Sequence, residues 1–127
     1  MYSSDAGHLL KEGNSVSLSD KISNQKHGVI LVLALRNSKG DSANSNFQTY
    51  YVPKNLVGKS YDMSGIDAYG RIFVKYVYIS DSEIHTRTSK DTGNVGYCDC
   101  NMYSGTASGT TGNWVSANYA LKYVIGI

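Results

Sequence analysis

The chain has 127 residues, a formal net charge of +2, and lysines and arginines spread along its length. That length supports one domain with its own hydrophobic core and without metal or disulfide staples, and the lack of a basic cluster argues against a nucleic-acid footprint. No apolar run approaches the roughly 20 residues of a membrane-spanning helix. The opening Met1-Tyr2-Ser3-Ser4 lacks the apolar core of a signal peptide, so synthesis in the cytosol is expected. Tyrosine is over-represented, with 11 residues against two Phe and one Trp. An apolar ring with a polar tip suits half-exposed strands and recognition surfaces alike.

In chain order, residues 1–14 are polar apart from Leu9-Leu10. Ser15-Val16-Ser17-Leu18-Ser19 alternates as a half-buried strand should. Residues 20–27 form a polar turn region. Gly28–Arg36 then brings seven consecutive apolar residues, the longest such run in the chain. Its shortness, its Val and Ile content and the turn residues after it predict a strand buried on both faces. Residues 37–46 read as an exposed loop, and residues 47–52 as a strand that Pro53 ends or confines to an edge. Residues 55–70 read as irregular, with Gly58, Gly65 and Gly70 as breakers. Residues 71–80 form a second long strand, Asp81-Ser82 a turn, and residues 83–87 a short polar strand. After a loop, residues 96–103 suit another strand. Residues 104–113 hold only Ser, Gly, Thr, Ala and Asn, too little apolar area to pack, and read as a mobile loop before Trp114. Residues 118–127 close the chain with Tyr119, Leu121, Tyr123, Ile125 and Ile127 on one face.

Short strands with Gly and Ser between them, and no helical periodicity, predict a single all-β domain. The expected architecture is an antiparallel two-layer sandwich or barrel-like head. Its central strands are Gly28–Arg36, residues 71–80 and residues 118–127. Cys98-Asp99-Cys100 would close a strained ring if bridged, so two reduced thiols are expected. His8, His27 and His85 are scattered, and no metal or cofactor is expected.

Five blocks carry a resemblance. They are Val16-Ser17-Leu18-Ser19-Asp20-Lys21-Ile22-Ser23, His27-Gly28-Val29-Ile30-Leu31-Val32, Tyr51-Val52-Pro53-Lys54, Lys75-Tyr76-Val77-Tyr78-Ile79-Ser80-Asp81 and Leu121-Lys122-Tyr123-Val124-Ile125-Gly126-Ile127. Together, and in this order, they resemble the C-terminal domain of tail-tip and minor structural proteins of phages and prophages of Gram-positive bacteria. The resemblance covers nearly the whole chain. It implies a non-catalytic β head on a longer tail protein, assembled in the host cytoplasm and located at the virion's tail tip. Such heads imply a homotrimer, neighbouring tail or baseplate proteins, and a host cell-wall polysaccharide or teichoic acid as receptor. The resemblance supplies no catalytic set.

The segment from His85 to Trp114 falls outside the framework blocks and holds the candidate ligand-binding residues. Trp114 suits stacking on a sugar ring, with closure of the core as the plainer alternative. Tyr97 and Tyr103 flank Asp99 and Asn101, the mixture of rings and hydrogen-bonding groups a saccharide needs; an edge strand with polar alternation is the plainer alternative. His85 and Arg87 alternate with Glu83, and Arg87 could hold a phosphate bidentately or lie on a solvated face. Asp62, Asp67 and Asp81 show no spacing that would pair carboxylates for glycoside hydrolysis, and Gly-x-Ser-x-Gly is absent. The expected function is saccharide recognition, with a purely structural tail domain second and a small cell-wall hydrolase third.

Overall fold

A computed structural model describes residues 1–8, 14–36, 39, 41–66, 72–86, 101–104, 113–116 and 119–127. At residues 66, 72–76, 86, 101–104, 113–116 and 119 only the backbone is described. The strands are β1 (Tyr2–His8), β2 (Ser15–Ser17), β3 (Gly28–Arg36), β4 (Ala43–Pro53), β5 (Lys59–Ile66), β6 (Ile72–Ile79), β7 (Glu83–Thr86), β8 (Asn101–Ser104), β9 (Asn113–Ser116) and β10 (Tyr119–Gly126). Single 3-10 turns at Ile22–Asn24 and Lys54–Leu56 are the helical pieces among the described residues.

The strands make two open antiparallel sheets, as expected of a sandwich. The first has the order β1-β10-β3-β4. The second runs β2-β7-β6-β5, and the β8–β9 hairpin joins it along β6. The three strands expected at the centre, β3, β6 and β10, each have neighbours on both sides. Between the sheets lie Val29, Leu31 and Leu33 of β3, Leu121 and Val124 of β10, Val52 of β4, Met63 of β5, Val77 and Ile79 of β6, Ile84 of β7, and Val16 of β2. Ile22 plugs the core from its turn and is fully buried. The polar turn region read from the sequence thus contributes a core residue.

Three strands were not foreseen. β1 (YSSDAGH) has little apolar content and is a strand because β10 offers it an edge. β5 lies in the stretch read as irregular, yet it pairs with β6 in unbroken register from Lys59↔Ile79 to Ile66↔Ile72. β9 pairs with β8 across the Gly/Ser/Thr stretch, of which residues 105–112 lie outside the described residues. The expected loop before β4 is also shorter: Ala43 is already in the strand and fully buried. β4 ends at Pro53 and forms a sheet edge, both of which suit a residue that cannot donate to a ladder.

The face assignment of the last strand needs correction. Leu121 pairs with Leu33, but Tyr123 pairs with Val32, so Lys122 is an extra residue in the ladder. A bulge of this kind shifts the alternation by one. Leu121 and Val124 therefore both enter the core, while Tyr123 and Ile125 face the other way. Lys122 itself is 3% exposed, the charged side chain that is buried among the described residues. Its ammonium donates to the Ala43 carbonyl at 2.6 Å and to Asn44 Oδ1, which supplies acceptors for a desolvated cation. Gly7 lies against the same junction. Its φ is +74°, and a Cβ there would come within 2.7 Å of the Ala120 Cβ, so glycine is required on both counts.

Candidate functional site

The segment singled out by sequence sits along one edge of β6. Ser80 builds the tight β6–β7 turn: its hydroxyl accepts from the Glu83 N–H at 2.9 Å, and its N–H donates to the Glu83 carbonyl at 2.9 Å. β7 then pairs antiparallel with the C-terminal half of β6, from Ile79↔Ile84 to Val77↔Thr86. β8 pairs, in the same direction, with the N-terminal half, at Phe73↔Met102 and Ile72↔Tyr103. Since β5 occupies the whole opposite edge of β6, β7 and β8 are collinear halves of one strand line. Residues 87–100 are inserted between them. The chain leaves the line at Thr86 and is back by Met102, a separation of about 13 Å along β6.

His85 sits inside this arrangement. In register it lies between Tyr78 on β6 and Ser15 on β2. Its ring meets Tyr78 edge-on, with centroids 4.9 Å apart and planes at 75°, a favourable aromatic geometry. It is half-buried, and its Nε2 is buried without a hydrogen-bond partner among the described residues. Ile84 beside it enters the core, so His85 lies on the outer face of this sheet, its ring partly covered by Tyr78. The β8–β9 hairpin sets Tyr103 opposite Trp114 and Asn101 opposite Ser116. Alternation assigns Asn101 and Tyr103 to one face of β8. Three of the candidate residues, Asn101, Tyr103 and Trp114, therefore share one hairpin, and His85 is on the strand line that this hairpin continues. Arg87, Tyr97 and Asp99 belong to the inserted segment and lie outside the described residues, as do Cys98 and Cys100. No family model, curated protein or solved structure matches the chain.

The carboxylates have defined partners at the far end of the sandwich. Asp81 accepts from the Ser23 N–H at 2.7 Å and the Ser23 hydroxyl at 2.8 Å. Asp20 accepts from the Lys21 N–H, Asn24 Nδ2 and Gln25 Nε2. Hydrogen bonds that favour the ionised form hold Asp81 below its ordinary value, chiefly through Ser23, and Asp20 below its own, chiefly through Asn24. Both fasten the Ile22–Asn24 turn. Asp62 is exposed on β5, opposite Tyr76, and Asp67 lies outside the described residues. No group of three metal-ligating side chains occurs among the described residues.

Sequence reasoning did not place a second surface, although apolar residues on both strand faces implied more apolar surface than two layers cover. On the outer side of the β1-β10-β3-β4 sheet, Ile125, Ile30 and Tyr51 stand in one row, and Tyr123, Val32 and Thr49 in the next. Ile125 is 47% exposed and Tyr51 53%. The only signal was the density of apolar residues in β3, more than one face of a strand requires.

Proposed function

We propose that this chain is the receptor-binding head of a phage tail protein, assembled as a homotrimer, that recognises a host cell-wall saccharide without catalysis. The observation that carries the reading is the register pair Tyr103↔Trp114 on a hairpin that continues the strand line interrupted by residues 87–100. Binding residues commonly sit on connections held by a rigid scaffold, and here the segment holding Arg87, Tyr97 and Asp99 is tethered at both ends to β6. Aromatic residues beside Asp and Asn suit a polyhydroxylated ligand, and Arg87 suits a phosphate where the polymer is a teichoic acid. The five framework blocks carry the resemblance that suggested this function, and an open all-β sandwich suits a head domain.

The test is retention on purified cell walls of Gram-positive hosts. Alanine at Tyr97, Asp99, Tyr103 and Trp114 is expected to abolish retention while leaving thermal unfolding nearly unchanged. Retention by all four variants would sink the saccharide reading. Unfolding by Trp114→Ala alone would make that residue part of the core. A structural tail domain is the second reading, favoured by the apolar outer face of the β1-β10-β3-β4 sheet, which suits protein contact.

A further inference from the structure

We infer that the outer face of the β1-β10-β3-β4 sheet, centred on Ile30, Tyr51, Tyr123 and Ile125, is where a second copy of this chain docks. The inference rests on the self-association in the proposed function and names its surface. Three successive rows cross β10, β3 and β4: Ile127, Gly28 and Pro53; Ile125, Ile30 and Tyr51; Tyr123, Val32 and Thr49. Phe47 extends the face along β4. Phe47, Tyr51, Ile125 and Ile127 are 51, 53, 47 and 36% exposed.

The occupant follows from charge, shape and area. None of the nine side chains in these rows is ionic at neutral pH, so they offer no charged side chain to a phosphate, a nucleic acid or a charged peptide. For the same reason two copies can meet there without opposing like charges. It is a sheet of hydrogen-bonded strands rather than a cleft, and small ligands need concave sites. The four exposed side chains leave on the order of 350 Å² of apolar surface uncovered, and the half-buried Ile30 and Tyr123 enlarge it. A stable interface covers about 800 Å² per partner, a little over half of it non-polar. The face therefore has about the apolar area that one protomer contact requires.

The experiment is light scattering of the full chain over a dilution series at micromolar concentration, with Ile125→Asp and Thr49→Lys as variants. Wild type is expected at a multiple of the chain mass, and each variant at the single-chain mass with unchanged circular dichroism. Thr49 is already polar and exposed, so Thr49→Lys decides the matter if Ile125→Asp fails to fold. A single-chain mass for wild type overturns the inference, and so does a folded Thr49→Lys that still assembles. Cell-wall retention separates the two readings. A single-chain wild type that is still retained overturns the docking face and leaves saccharide recognition standing. An assembled wild type that is not retained supports the face and sinks saccharide recognition.

Discussion

The two sheets place their apolar residues differently. In β2 and β5 of the second, alternation is strict: Val16 is buried between exposed Ser15 and Ser17, and Met63 is buried between exposed Asp62 and Ser64. One face makes the core and the other meets water. In the first, Val29, Leu31 and Leu33 fill the core while Ile30 and Val32 continue the apolar content on the outer side. A sheet that needed only one covered face would not carry both. The contrast separates two roles: the second sheet bears the hairpin and the inserted segment, and the first presents a surface suited to protein.

The sharpest way to break the comparison is to truncate the two faces of β3 and β10 in turn. Leu33→Ala, at a fully buried position, is expected to cost about 2–5 kcal/mol in chemical denaturation. A loss below about 0.5 kcal/mol would remove Leu33 from the core. Lys122→Met keeps the stem and deletes the ammonium, leaving the Ala43 carbonyl without that donor. The expected cost is about 1–3 kcal/mol; an unchanged denaturation midpoint would show that the ammonium contributes nothing net.

Acid titration distinguishes the sheets next. Burial lowers the His8 imidazole below its ordinary 6.5, and His8 pairs with Leu121 at the end of β1. Above pH 6.5 the ring is neutral in both folded and unfolded chains, and stability is flat. Below it the unfolded chain takes the proton first, so stability falls until the lower folded value is passed. Asp81 has the opposite chemistry: its stabilising contribution is present above its ordinary 3.8 and is lost as pH falls through its lower folded value. Thermal melts across pH should therefore weaken in two separate ranges, and His8→Gln should abolish the upper one. A profile identical to wild type would exclude His8. The smallest effect belongs to the outer face. Ile125→Ala is expected to change single-chain stability by about 0.5 kcal/mol or less, and a loss as large as that for Leu33→Ala would make this face a second core.

Sequence patterning located β3, β6 and β10 because their apolar density survives any pairing. It failed for β1 and β5 for one reason: an edge strand with a wet outer face needs little apolar content, and its conformation comes from the neighbour's free hydrogen-bonding groups. The bulge at Lys122 was equally invisible, since a lysine in a strand reads as one more outward residue. Of the candidate site, composition marked the segment from His85 to Trp114. That Tyr103 and Trp114 would be opposite one another depends on a register across residues 105–112 that composition does not encode.

The place of β10 also fixes an order of events during synthesis. β10 is flanked by β1 and β3, strands made long before it. Until residues 119–126 leave the ribosome, β1 has no neighbour and one edge of β3 is bare, with Leu31 and Leu33 unshielded. The β5-β6-β7 meander needs only local pairings and can form earlier. The nascent chain therefore carries an adhesive, half-built sheet through most of its elongation, and a stalled or clipped chain lacking β10 would aggregate through that open edge.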